Sequence, residues 1–141
     1  MKQFTSEKQK MGQAGEDIAC RFFIKHGFII KERNFTRKYG EIDIIAEKNK
    51  KLHFIEVKSV SKSLDKKFDD REKEKVDNFQ PEDNMHPWKL KRLSRVIQVY
   101  LLGNSSVDGQ EDQEWQLDIA LVFLDLQKKI ARVRIIEDIV L

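Results

Sequence analysis

Two apolar segments in the first half of the chain, held four residues apart, constrain its fold more than anything else. Glu41-Ile42-Asp43-Ile44-Ile45-Ala46-Glu47 and Leu52-His53-Phe54-Ile55-Glu56-Val57-Lys58 both read as strands, and Lys48-Asn49-Lys50-Lys51 between them suits a hairpin loop. Symmetric closure pairs Glu47 with Leu52, Ile45 with Phe54, Asp43 with Glu56 and Glu41 with Lys58. Ile42, Ile44 and Ala46 then share one face with Val57, Ile55 and His53. Both faces are apolar in the middle, so the hairpin belongs inside a sheet and not at its rim.

That register sets two carboxylates, Asp43 and Glu56, opposite each other, where Cβ atoms lie about 4.5–5.5 Å apart. Like charges so placed repel unless something positive sits between them. Lys58, two residues beyond Glu56, shares their face. Carboxylate oxygens are the ligands Mg²⁺ prefers, and it takes only one or two from protein. A water on such an ion loses its proton more readily and becomes a nucleophile, and Lys58 could orient it or stabilise charge on a phosphate. The plainer reading is a salt-bridged sheet end, with Glu41 on Lys58 and Asp43 solvated.

The rest of the chain frames this hairpin. Residues 1–10 are polar and read as flexible. Met11, Ala14, Ile18 and Phe22 fall at helical spacing, widened by Ala19 and Phe23, and Gly27 ends that helix after Lys25 and His26. Glu16 lies in this helix over an apolar row, either complementing the helix dipole or pointing into a site. A strand from Phe28 toward Asn34 follows, then a loop of residues 35–40 carrying Arg37. Residues 59–87 are dense in charge and poor in apolar positions, which gives a long loop with a short helical piece near 69–76. Leu90, Leu93, Ile97, Tyr100 and Leu101 make one helical face from Trp88 to Gly103. Lys89 accompanies Lys91, Arg92 and Arg95, and the last three lie away from that stripe; such a strip either neutralises phosphates or is simply solvated. After a polar loop over 104–114, Trp115–Leu124 and Ile130–Ile136 read as two more strands.

The order α, β, β, β, α, β, β gives an α/β fold in which helices flank a mixed sheet. At 141 residues this is one domain, spanning 11–141. The net charge of +3 permits nucleic-acid binding without requiring it. A single Cys20 excludes an internal disulfide and, with no leader evident, points to the cytoplasm. The longest apolar run, Ile119–Leu124, is too short to span a bilayer. His26, His53 and His86 lack metal-ligand spacing, and there is no nucleotide-binding glycine loop or nucleophile elbow.

Several of these pieces together resemble a known family. Gly15-Glu16 with Ala19, Arg33-Asn34, Gly40-Glu41-Ile42-Asp43-Ile44-Ile45-Ala46, Phe54-Ile55-Glu56-Val57-Lys58, the later helix positions Lys89, Arg92, Leu93, Tyr100 and Leu101, and Leu117-Asp118-Ile119 are similar to the YraN-like family of predicted endonucleases. That family is similar to archaeal Holliday junction resolvases within the restriction-endonuclease-like nucleases. The resemblance implies a restriction-endonuclease-like mixed sheet, Asp43 and Glu56 as metal ligands, Lys58 as catalytic lysine and Glu16 as an accessory acid. It also implies Mg²⁺ or Mn²⁺ dependence, a DNA substrate with branched DNA as a candidate, and a homodimer. The chain departs from the family pattern at Val60 and Gln116, where basic residues are usual, and in the length of its charged loop. The competing expectation is a non-catalytic nucleic-acid-binding or assembly module on the same fold.

Overall fold

The computed structural model describes residues 6–61, 63–64, 87–104 and 113–141. Seven elements follow in the order helix α1 (Glu7–Lys25), strands β1 (Ile29–Arg37), β2 (Gly40–Lys48) and β3 (Lys51–Ser61), helix α2 (Pro87–Gly103), and strands β4 (Trp115–Asp125) and β5 (Ile130–Ile136). The five strands form one sheet in sequential order. All neighbours are antiparallel except β3 and β4, which are parallel and joined by the crossover that contains α2. The fold is therefore an α/β mixed sheet with a helix on each face.

Both faces are apolar because both are covered. α1 lays Ala19, Cys20 and Phe23 over Ile44, Ala46, Ile55, Ala120 and Val122. α2 lays Leu93, Val96, Ile97 and Tyr100 over Ile42, Ile45, Phe54, Leu117 and Ile119. Phe54 sits at the centre of the second layer, edge-on to Tyr100 and Trp115 with ring centroids 5.6 and 5.7 Å away. Burying one such ring is worth about 1.5–3 kcal/mol.

Local chemistry moves several element boundaries. α1 starts at Glu7, not Met11, because Ser6 and Gln9 form a reciprocal capping box: Gln9 N donates to Ser6 Oγ at 3.1 Å and Ser6 N to Gln9 Oε1 at 3.4 Å. The expected flexibility of residues 1–10 thus fails for residues 6–10, and residues 1–5 lie outside the described part. The α1 face turned to the sheet is the expected stripe, deepest along its widened edge: Ala19 and Phe23 are buried, Met11, Ile18 and Phe22 pack partly buried beside them, and Gly15 marks the closest approach. Small residues win there because they let the helix approach the sheet: a Cβ on Gly15 would overlap Ser59 Oγ. β1 runs through Arg37 where a loop was expected. β3 continues to Ser61, and Leu64 beyond it is buried, its N–H donating to Asp125 Oδ2 at 2.9 Å. The charged loop expected at 59–87 therefore begins later. Residues 65–86, including the suggested helical piece, and 105–112 lie outside the described residues.

Candidate metal and nucleic-acid site

The hairpin closes in the expected register from Lys48↔Lys51 to Ile44↔Ile55 and then stops. Strict alternation also stops: Ile44 and Ala46 face α1, whereas Ile42 and Ile45 both face α2. Ile42, Ile44 and Ala46 were expected on one face, and the lapse at Asp43 is why they are not. The β1–β2 ladder skips the same level, passing from Arg33↔Ile44 to Phe35↔Ile42 without an Asn34↔Asp43 pair. Asn34 has φ of 53°, a left-handed conformation that asparagine tolerates better than most side chains. One irregularity thus crosses two strands, and it frees Asp43 from the ladder. Its carboxylate substitutes for the missing rung: Val57 N donates to Asp43 Oδ2 at 2.8 Å.

Four acidic side chains meet at this lapse. Glu16, nearly three turns into α1 beyond its cap, reaches Asp43, and the two carboxyls share a hydrogen bond. Burial, then the charges of Glu56 and Glu16, push Asp43 up from 3.8 to about 8, although the Val57 amide opposes this. Burial and the charge of Glu41 push Glu16 up as well, against Arg33 and the bond to Asp43. The Asn34 amide, in the orientation that satisfies its neighbours, donates to Glu41 Oε1 at 2.7 Å and Glu16 Oε2 at 3.2 Å. Arg33 donates to Asp17 at 2.8 Å and lies 3.9 Å from Glu16. An open concavity of about 530 Å³ lies over Glu16, Asn34 and Glu41, with Gly12 and Gln13 of α1 on its wall.

Cations are arranged differently from the sequence expectation. Glu56 is paired with Lys89 at the start of α2, Nζ to Oε1 at 2.9 Å, and both are largely shielded. Lys58 is exposed, so the plain expectation of a Glu41–Lys58 sheet-end bridge finds no counterpart among the described ion pairs. Lys89 is accordingly a neighbour of the acids and not only part of a surface strip. The remaining basic residues lie on the same helix or around the β1–β2 turn. Tyr39, in the β1–β2 turn, lies under the Arg95 guanidinium at 5.3 Å and beside Lys38 at 5.9 Å. Arg92 covers Trp88 at 4.6 Å, and Arg37 covers Phe35 at 4.0 Å. Lys91 is exposed on the same helix. Hairpin tip and helix thus form one basic and aromatic surface, which spacing within either segment alone does not reveal.

Does this arrangement suit a divalent ion? The proton held by Asp43 does what a cation would do there: it relieves the repulsion of the surrounding carboxylates. Against that, no group of three His, Cys, Asp or Glu side chains among the described residues is placed to hold an ion together. Asp43 with Glu56 supplies a pair, which is the number Mg²⁺ usually takes from protein. The residues fit a hydrated hard cation and not a fully protein-enclosed one.

The uncharacterised protein family UPF0102 matches residues 15–122, from within α1 through β1–β3 and α2 into β4. The chain belongs to this family. A UPF0102 protein from Helicobacter hepaticus is 43% identical over 90 residues, covering 64% of this chain and 67% of the relative. One from Campylobacter lari is 36% identical over 114 residues, covering 81% and 84%. One from Campylobacter hominis is 32% identical over 133 residues, covering 94% and 96%. The UPF0102 match takes in Glu16, Asp43, Glu56, Lys58 and Lys89 together.

Proposed function

We propose that this UPF0102 protein is a metal-dependent endonuclease of the restriction-endonuclease-like kind, hydrolysing phosphodiester bonds in DNA, with branched DNA as the candidate substrate. The observation that carries the reading is Asp43, an aspartate released from its strand ladder, buried among carboxylates and pushed to about 8, with its neighbour Glu56 paired to Lys89 of α2. A fold gains nothing in stability from such crowding, whereas a cation site needs it.

In this reading Asp43 and Glu56 would hold Mg²⁺ or Mn²⁺, which would help a water lose its proton to solvent and attack phosphorus as the P–O bond breaks and the leaving oxygen takes a proton from solvent. Glu16 takes the proton that Asp43 gives up. Asn34 and Arg33 hold Glu16 in place. Lys89 leaves Glu56 for the substrate phosphate, and exposed Lys58 faces the developing charge. Arg37, Lys91, Arg92 and Arg95 neutralise the phosphates on either side. Two copies acting on one branched substrate agree with the homodimer implied by resemblance to the resolvases. The lone Cys20, buried and with its thiol pushed up by that burial, suits a reducing cytoplasm. No described helix is long and apolar enough to cross a membrane.

The intact Lys89–Glu56 pair favours the second reading, a nucleic-acid-binding module that does not cut. Incubation with branched and linear DNA in Mg²⁺ or Mn²⁺ separates the two. Cleavage should appear with metal and fall by at least about 10²-fold in Asp43→Ala, with circular dichroism unchanged. Binding without cleavage, indifferent to Lys58→Ala, leaves the second reading standing.

A further inference from the structure

The buried polar pair His53–Asp118 has no part in the chemistry above. It lies on α1's face of the sheet, three residues back along β3 from Glu56. The nearby end of α1, at His26, is ten residues from Glu16, about 15 Å along the helix. His53 Nδ1 meets Asp118 Oδ2 at 2.8 Å, with side-chain exposures of 10% and 2%. Asp118 Oδ1 accepts from Gln116 Nε2 at 2.7 Å and from the Asp138 amide at 2.9 Å. Asp118 engages the Nδ1 side of the ring, which leaves Nε2 as the ring nitrogen available to a ligand. No fully buried side-chain nitrogen or oxygen among the described residues lacks a partner. Nε2, for which no protein partner is found among those residues, therefore opens to the concavity of about 550 Å³ that His53 helps to line.

The surroundings of that concavity select a ligand. Its walls are aromatic: Phe28 stands edge-on to the His53 ring at 4.9 Å, and Phe22 stacks on His26 at 4.1 Å. Aromatic walls favour a flat ring. At the rim, the β2–β3 turn contributes Lys48 and Lys51. Lys48 is held by the His26 carbonyl at 2.7 Å, while Lys51 has no ion pair with a described residue. Glu114 and Glu137 also line the concavity. A flat ring with a hydrogen-bonding edge, hydroxyls to give and an anionic group describes a nucleotide. The volume lies within the ordinary range for small-molecule sites.

We propose that this concavity is a second ligand site that takes a mononucleotide unit, its base edge on His53 Nε2, its phosphate at Lys51 and its sugar hydroxyls toward Glu114 and Glu137. The unit is either a free nucleotide or the end of a strand, since both present the same chemistry. The site shares no residue with the acidic cluster, so it stands or falls independently of the nuclease reading.

Calorimetric titration of the full chain with AMP, adenosine, inorganic phosphate and a 5′-phosphorylated single strand tests it. AMP should bind measurably below 1 mM, and adenosine and phosphate each at least tenfold more weakly. Lys51→Glu, a change outside the core, should weaken AMP at least tenfold. His53→Gln should do the same in a preparation whose circular dichroism matches the parent, and Asp43→Asn should change nothing. A strand that binds more tightly than AMP assigns the site to strand ends; the reverse assigns it to free nucleotide. Phosphate binding as tightly as AMP, AMP binding unaffected by Lys51→Glu, or no binding at 1 mM would overturn the proposal.

Discussion

Asp43 couples structure to pH more strongly than any other described side chain, and the sign of that coupling is definite. Its folded pKa of about 8 lies above its ordinary 3.8, so the native state holds a proton that the unfolded chain releases. The stability this group contributes is complete below its ordinary value and is lost as pH rises through about 8. Without added metal, the midpoint of thermal unfolding should fall between pH 5 and 8. Asp43→Asn, which keeps an acceptor for the Val57 amide and a donor for Glu16, should flatten that fall. A profile equally steep in both proteins would remove Asp43 as its source. Adding Mn²⁺ at pH 8 should raise the midpoint of the parent protein only, because a ligand for the native state stabilises it. Asp118 is a second critical residue for a different reason. It is 1% exposed and serves three donors. Asp118→Ala strands those donors and should cost roughly 3 kcal/mol in urea denaturation; a loss under about 1 kcal/mol would mean that water replaces the carboxylate.

At the scale of elements, the approach of α1 to β3 places Glu16 beside Asp43. Gly15 makes it possible, since any Cβ there meets Ser59. Gly15→Ala should destabilise by about 1–3 kcal/mol through overpacking, and Ser59→Gly should restore most of the loss. Failure of the second change to rescue the first would show that the helix moves as a whole. The element order and the hairpin register from Lys48 to Ile44 were legible in the sequence, because apolar periodicity and a short turn determine both. The lapse at Asn34 and Asp43 was not. It depends on one left-handed backbone angle and one side chain donated to the opposite strand, and neither changes the hydrophobic pattern. The Lys89–Glu56 contact was hidden for a related reason: it joins residues 33 positions apart across a crossover. The apolar stripe of α1 was legible, but not that Gly15 and Ala19 lie buried against the sheet, because glycine and alanine carry little hydrophobic weight yet decide how close a helix can pack.

Considered whole, the molecule brings its acidic side chains together at one lapse in the sheet, apart from the register shift between Ile30 and Glu32. Asp43 and Glu56 come from adjacent strands, Glu16 and Lys89 from helices on opposite faces, and the arginines from a turn and a helix that meet at Tyr39. No single segment carries these residues, which is why their pairing was not legible in the sequence. The most direct measurement is a crystal structure of the chain soaked in Mn²⁺, located by its anomalous signal. The account predicts one ion about 2.1 Å from an oxygen of Asp43 and an oxygen of Glu56, with Lys89 displaced from Glu56. Empty density there, with Lys89 still on Glu56 and the Glu16–Asp43 hydrogen bond intact, would contradict it.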